Sequence, residues 1–132
     1  MSVLLQLFLN GAGRIGRGPF LLSVAVLLVV MTLYEATTPA LVQRWTGWLA
    51  NLLILFGACA VIGKRLHDRG RSGWWTALVL LAFTNVWPQP HGVGWLFTPV
   101  LLAAAIDLGV LPGEARFNRF GPPVGRWGLP GR

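Results

Sequence analysis

Four apolar segments separated by arginine-rich stretches limit what this chain can fold into. They cover about residues 18–36, 45–62, 72–87 and 93–111, and none carries a charged stripe along one helix face. As helices, segments of roughly 16 to 19 residues reach about 24–29 Å, close to the hydrocarbon core of a bilayer, which is about 30 Å thick. The pattern predicts an all-α membrane protein with four short transmembrane helices.

The composition argues against a soluble domain. Of the 132 residues only 11% are charged and 55% are apolar, and the mean hydropathy is +0.63, whereas soluble domains carry about 25% charged residues. A net charge of +7 would also suit a nucleic-acid-binding protein. Here, however, the cations flank apolar runs, as membrane topology requires. We therefore expect membrane lipids around the chain and no nucleic acid.

The positions of lysine and arginine predict the orientation. With four spans, ten of the 11 cations fall on one side of the membrane and Arg44 alone falls on the other. The ten are Arg14, Arg17, Lys64, Arg65, Arg69, Arg71, Arg116, Arg119, Arg126 and Arg132. Because short cytoplasmic segments carry the excess of Lys and Arg, we expect both termini in the cytoplasm.

The remaining segments read as follows. Residues 1–123 are predicted to form one transmembrane domain, and the Pro- and Gly-rich stretch 124–132 an irregular cytoplasmic tail. Residues 1–10 are apolar but too short to span, which predicts an interfacial helix or a frayed terminus. We expect a tight reversal at residues 88–92 and Ser72 as the N-cap of the third helix. The start of the chain predicts no cleavable signal peptide.

His67 and Asp68 are the pair that most resembles a reactive site. Adjacent residues on a helix do not face each other, and a metal ion needs three or four ligands, for which this side of the membrane offers few candidates. We therefore predict no catalytic residue, no metal site and no cofactor. We expect Asp68 to organise the turn by pairing with an arginine. The candidate partners are Arg14, Arg17, Arg65 and Arg69.

Apart from Glu35 at the outer end of the first segment, Asp107 is the only acid in an apolar segment. Acids within membrane spans are often functional. Asp107 lies about one turn, or roughly 6 Å, from the end of its segment, so its side chain can reach the headgroup zone. We expect an ion pair between helices with Arg65 or Arg14, and a proton or ion pathway is the alternative.

Three motifs fall in segments that are predicted to share one side of the membrane. They are Gly13-Arg14-Ile15-Gly16-Arg17 leading into Phe20, then Arg65-Leu66-His67-Asp68-Arg69-Gly70-Arg71-Ser72-Gly73-Trp74-Trp75, then Pro112-Gly113 followed by Asn118-Arg119-Phe120-Gly121-Pro122. Over roughly residues 8–123 the chain resembles the bacterial inner-membrane family catalogued as domain of unknown function 805. Lys64 replaces the first arginine of the central motif, and Leu21 stands where the family often has tryptophan. The resemblance implies a small polytopic protein of the bacterial inner (plasma) membrane, with no established activity.

The residues of interest divide into a structural set and a basic set. The structural set is His67, Asp68, Gly70, Ser72, Gly73, Trp74, Trp75, Asp107, Asn118 and Gly121. The basic set is Arg14, Arg17, Lys64, Arg65, Arg69, Arg71, Arg116 and Arg119. Guanidinium groups suit bidentate binding of phosphate, so we expect the basic set to form one cytoplasmic surface that binds anionic lipid or a partner protein. Membrane topology alone would need the same charge without a ligand.

The leading hypothesis is therefore a non-enzymatic inner-membrane protein with a basic cytoplasmic face. The alternative is a small oligomeric transporter or channel, because Gly57, Ala58 and Ala60 would let helices approach closely in a homo-oligomer. A third hypothesis is an enzyme that acts on lipid headgroups through His67 and Asp68.

The topology can be tested by cysteine labelling in cells. In a Cys59→Ala background, we expect a membrane-impermeant maleimide to label Gln89→Cys in intact cells. Ser2→Cys and Val124→Cys should be labelled only after permeabilisation, because both termini are predicted inside. Labelling of the tail position from outside, with the N-terminal position protected, would mean an odd number of crossings.

Overall fold

In the computed structural model, residues 3–87 and 89–125 are described, and every regular element in these ranges is helical. The elements are α1 (Val3–Leu9), α2 (Arg17–Thr37), α3 (Ala40–Asp68), α4 (Trp75–Val86), and a final helical segment made of a 3₁₀ helix (Gly92–Phe97), α5 (Thr98–Ala105) and a π-helical turn (Ile106–Val110). Most of the predicted tail 124–132, and Pro88 in the predicted reversal, lie outside the described residues.

Within residues 3–87 and 89–125, three helical stretches are long and apolar enough to cross a membrane. They are Arg17–Thr37 with 21 residues, Ala40–Asp68 with 29 and Gly92–Val110 with 19. They confirm that helices occupy the segments predicted at 18–36, 45–62 and 93–111. The helix in the remaining segment, α4, is shorter than predicted: 12 residues reach only about 18 Å. The prediction of four crossings therefore depends on α4.

The helix α3 extends beyond its predicted span at both ends. We expected a charged loop after residue 62, but the helix continues through Lys64 and Arg65 to Asp68. Its 29 residues measure about 43 Å, more than a hydrocarbon core, so its last turns can be charged and still avoid lipid. The helix ends in a Schellman motif: Gly70, at φ +69°, donates its N–H to the His67 carbonyl, and Arg71 donates to the carbonyl of residue 66.

The start of α4 differs from the prediction. Trp74 occupies the N-cap position, and no side chain caps the helix. Ser72 instead closes the turn before it: its hydroxyl accepts the Trp74 N–H at 3.4 Å, and its carbonyl accepts the Trp75 N–H at 3.2 Å. Serine commonly makes such local turns when it lies outside a helix.

The helices pack most closely at one end of the molecule. α2 and α4 both contact α3, α5 contacts α4, and the π-helical turn contacts α2. The buried apolar side chains gather at this end: Leu7, Ile15, Phe20, Val61, Ile62, Leu66 and Leu108. Because the three arginine-containing motifs also meet here, we call it the arginine-rich end. Along the rest of the helices many large apolar side chains are exposed, as a lipid-facing surface requires.

Residues 3–9 form the predicted N-terminal helix, and it packs on α3. Phe8 lies against Gly57 of α3. The buried Lys64 ammonium donates to the carbonyls of Gln6 and Leu7, both at 2.6 Å. Carbonyls in the last turn of a helix lack backbone partners, so Lys64 caps α1 and fixes it to α3.

We expect Lys64→Met to release α1 while leaving the rest of the bundle in place. Losing a charged hydrogen bond costs about 1.5–3 kcal/mol, so hydrogen exchange of the α1 amides should become about tenfold faster or more. Exchange can be followed by mass spectrometry, with Arg44→Met at the opposite end as the matched control. Unchanged exchange in α1 would show that Lys64 does not hold it.

Candidate functional site

Asp68, in the last turn of α3, lies at the centre of the arginine-rich end. Its carboxylate accepts a hydrogen bond from Arg14 Nε at 3.0 Å and pairs with the Arg65 guanidinium through its other oxygen. All three side chains are at most 2% exposed. The prediction that Asp68 pairs with nearby arginines is confirmed for these two. We call Asp68, Arg14 and Arg65 the Asp68 cluster.

Arg14 connects Asp68 to the segment after the last helix. Its Nη1 donates to the carbonyls of Arg116 at 2.8 Å and Gly121 at 3.2 Å, and its Nη2 donates to the Glu114 carbonyl. A guanidinium has five N–H donors and no acceptor. The irregular segment 111–121 supplies the carbonyls that satisfy them, and in return it is held to the bundle.

Arg65 binds the end of the final helical segment. Its Nε donates to the Leu108 carbonyl and its Nη2 to the Leu111 carbonyl, both at 2.7 Å. Arg17 donates to the Val110 carbonyl at 2.9 Å. The last carbonyls of a helix need partners from outside it, and positive charge there also suits the helix dipole. Arginines from α2 and α3 therefore terminate the final segment.

Asp107 pairs with arginines other than those predicted. Its carboxylate binds Arg69 at 3.0 Å and Arg71 at 3.3 Å. The prediction that Asp107 pairs with Arg65 or Arg14 is wrong, because both arginines bind Asp68 and backbone carbonyls. Asp107 does form an ion pair across the fold, but the pair joins the π-helical turn to the C-cap of α3 and the loop that follows rather than to a second helix.

His67 joins all three motifs through contacts of its ring. Nδ1 lies 3.2 Å from the Gly13 carbonyl, and the ring stacks on Phe120 with centroids 3.9 Å apart. Gly73 packs against the other ring nitrogen, and the Arg119 guanidinium lies 4.7 Å from the centroid of the Phe120 ring. Within residues 3–87 and 89–125, no three His, Cys, Asp or Glu side chains group in a way that could hold a metal ion.

Asn118 begins the turn that closes at Gly121. Its side-chain oxygen accepts the Phe120 N–H at 2.9 Å, and its backbone pairs with that of Gly121. Its side-chain nitrogen donates to the His67 carbonyl at 3.0 Å and to Glu114 at 2.8 Å. The predicted structural residues of the third motif thus bind the central one.

Two glycines allow the backbone to pass close to the acids. Gly113 lies against the Asp68 carboxylate and Gly70 against the Glu114 carboxylate, where a side chain would collide. The Glu114 N–H also donates to the Asp68 carbonyl at 2.8 Å. No role was predicted for Gly113 or Glu114. The small number of acids could have indicated one for Glu114: with only four acids in the chain, each acid that lies among these arginines needs a defined partner.

Burial divides the predicted basic set into two groups. Lys64 and the two arginines of the Asp68 cluster are buried, and Arg69 is partly buried. These four cations are therefore not part of an exposed surface, and the prediction that the whole basic set forms one cytoplasmic surface is wrong for them. The exposed cations form what we call the basic rim: Arg17, Arg71, Arg116 and Arg119.

Large aromatic side chains are exposed beside the basic rim. Trp74 is 86% exposed, Phe117 75% and Trp75 52%. Trp74 and Trp75 lie at the start of α4, a few residues after Arg71, and Phe117 lies between Arg116 and Arg119 in the sequence. Tryptophan is enriched at the level of lipid headgroups, where its apolar ring and its N–H are both accommodated.

We expect Asp68→Asn to lower the free energy of unfolding by about 3–5 kcal/mol, the usual cost of breaking a buried ion pair from one side. The variant leaves two buried guanidinium groups without their counter-charge. Unfolding in detergent can be followed by circular dichroism. Glu35→Gln, an exposed acid at the opposite end, should change the stability by less than about 0.5 kcal/mol. Equal stability of the two variants would contradict a central role for Asp68.

Comparison with known proteins agrees with the resemblance of the motifs. The family model described as protein of unknown function (DUF805) matches residues 8–122. The uncharacterized protein YiiR of Escherichia coli is 31% identical over 120 residues, covering 83% of this chain and 82% of YiiR. The inner membrane protein YhaH of Escherichia coli is 31% identical over 93 residues, covering 62% and 64% of the two chains. No solved structure matches. The three motifs that build the arginine-rich end lie within the matched range, and the chain belongs to the DUF805 family.

Proposed function

We propose that this chain is a non-enzymatic, multi-pass protein of the bacterial inner membrane whose basic rim binds anionic lipid headgroups at the cytoplasmic surface. The observation that carries the proposal is the division of the cations by burial. Arg14, Lys64 and Arg65 are used inside the protein, whereas four of the described arginines remain exposed around the same end.

Four crossings with both termini inside are part of the proposal. Arg14, before the first long helix, contacts Glu114 and Gly121, beyond the last one. Segments that meet in the same water phase are separated by an even number of crossings. α4 is then the third of the four crossings, and its shortness requires local thinning of the bilayer or help from its flanking residues.

Two of the rim arginines make contacts among the described residues that use only part of their N–H donors. Arg17 uses one nitrogen on a carbonyl, and Arg71, whose side chain is 51% exposed, shares Asp107 with Arg69. A guanidinium fork matches the geometry of phosphate oxygens. Anionic lipids of the cytoplasmic leaflet present such phosphates and attract each nearby arginine by about 1 kcal/mol.

The exposed aromatic rings favour lipid over a soluble ligand. Burial of a large apolar side chain stabilises a protein in water by about 1.5–3 kcal/mol, so such side chains are usually buried. Trp74 and Phe117 are largely exposed instead. At the headgroup level their rings rest against acyl chains while the neighbouring arginines reach phosphate. A protein partner that covers the same surface is the competing explanation.

The transporter or channel hypothesis depends on different residues. It gives the central role to Asp107, which in this structure is bound by Arg69 and Arg71 near the end of its helix. An acid held by two arginines at the interface suits a structural ion pair better than a pathway through the membrane. We therefore keep headgroup binding as the proposed function.

The rim can be tested by replacing Arg17, Arg71, Arg116 and Arg119 with glutamine. We expect the variant to fold and to lose its preference for phosphatidylglycerol over phosphatidylcholine by about tenfold or more, given about 1 kcal/mol for each arginine. The preference can be measured by exchange of the two lipids in nanodiscs, followed by native mass spectrometry of the released protein.

Arg44→Gln, which removes an exposed arginine at the opposite end, is the control and should keep the preference. A rim variant that is folded and still prefers phosphatidylglycerol would refute headgroup binding. If the rim variant instead loses a co-purifying protein while its lipid selection is unchanged, the surface binds a protein partner.

A further inference from the structure

An apolar cleft runs between α2, α3, α4 and the final helical segment. Its volume is about 590 Å³, within the range of roughly 300–1,000 Å³ that is typical of ligand pockets. Its walls include Val24 and Leu28 of α2, Ile54 of α3, Leu80 of α4 and Leu101 of α5, and two polar side chains, Asn51 and Thr84, also line it.

The cleft opens because α2 and α5 do not pack against each other. α2 contacts α3 and the π-helical turn, and α5 contacts α4, but α2 and α5 make little contact with each other. Two small residues, Ala58 of α3 and Ala104 of α5, line the cleft. An unfilled space would deprive its lining of dispersion contacts. In a bilayer, the molecules available to fill an apolar cleft are lipid tails.

The length of the cleft matches one lipid tail. Along α2 it extends from Phe20 to Met31, a rise of about 16 Å at 1.5 Å per residue. This is about half of a hydrocarbon core of roughly 30 Å, the depth that a tail occupies in a single leaflet. The Phe20 end adjoins the arginine-rich end, so the matching leaflet is the one in contact with the basic rim.

A rim arginine, Arg17, lies one helical turn before the cleft along α2. Arg17 and Leu21 are four residues apart and share a face of α2, and Leu21 lines the cleft. Arg17 is exposed and spends one nitrogen on the Val110 carbonyl. It also lines a separate hollow of about 460 Å³ at the level of residues 16–19. A positive charge therefore stands where the headgroup of a lipid in the cleft would lie.

We propose that the cleft holds one acyl chain of a cytoplasmic-leaflet anionic phospholipid, with its phosphate on Arg17. The inference deepens the proposed function and rests on it for the choice of headgroup. The tail is recognised by shape and dispersion between the four helices, and the phosphate is recognised by charge. The protein thus binds one lipid molecule per chain in the cleft. This lipid is additional to the lipids whose headgroups bind the basic rim and exchange with the bilayer.

The tail site is tested by filling the cleft. We expect wild-type protein, reconstituted in vesicles of phosphatidylglycerol and phosphatidylethanolamine and then released into detergent, to retain one phosphatidylglycerol in native mass spectra. Ala104→Phe and Ala58→Leu fill opposite walls and should each reduce the retained lipid at least fivefold. Ala103→Phe adds the same ring to the neighbouring, exposed position outside the cleft and should retain the lipid as wild type does.

The headgroup contact is tested separately. Arg17→Gln should keep a lipid in the cleft but lower the preference for phosphatidylglycerol over phosphatidylcholine about fivefold. If the filled variants retain lipid as wild type does while the rim variant loses its lipid preference, the tail site is refuted and the proposed function stands. If the filled variants lose lipid while the rim variant keeps its preference, the tail site stands and headgroup binding at the rim fails.

A measurement on the wild type guards against variants that do not fold. Phosphatidylglycerol with a photoactivatable diazirine in its tail should crosslink to cleft residues such as Leu28 and Leu101. Adducts confined to exposed faces, such as Leu102, would overturn the proposal. The proposal would also be overturned if the native mass of the wild type showed a second copy of the chain in place of lipid and if Ala104→Phe lost that copy.

Discussion

A buried carboxylate bound between two arginines holds together parts of this protein that are far apart in sequence. Asp68 pairs with Arg14, 54 positions before it, and with Arg65 in its own helix. Removing Asp68 would leave two guanidinium groups buried without their counter-charge, at a cost of several kcal/mol. The requirement that these charges meet brings the start of α2, the end of α3 and the segment after the last helix to one place.

The same requirement explains why α2 and the final helical segment meet at the arginine-rich end and make little contact beyond it. Among lipid tails, apolar helices gain little by burying apolar faces against each other, so polar contacts and close packing decide where they associate. Here the ion pairs of the described residues lie at the arginine-rich end, where Arg65 and Arg17 also bind the carbonyls that end the final segment. Beyond this end α2 and α5 diverge, and the cleft is the consequence.

The arginines therefore serve two purposes, and burial separates them. Arg14 and Arg65 are nearly fully buried and their donors are taken up by Asp68 and by backbone carbonyls. Arg116 and Arg119 extend from the segment that Arg14 fixes, and they remain exposed. The buried group gives the surface its rigid shape, and the exposed group gives it the charge on which the proposed lipid binding depends.

The sequence by itself determined that the chain is helical, apolar and a membrane protein, because length and hydropathy are local properties that no later contact can reverse. It also identified the three motifs and the pairing of Asp68 with arginine, since so few acids stand among so many cations. Only the tertiary structure decided which arginine pairs with which acid, that α3 continues through Lys64 to Asp68, and that a cleft opens between α2 and α5. These three features depend on the positions of backbone carbonyls and helix faces that are distant in sequence. Until those positions are known, the sequence cannot distinguish one arginine that flanks an apolar run from another.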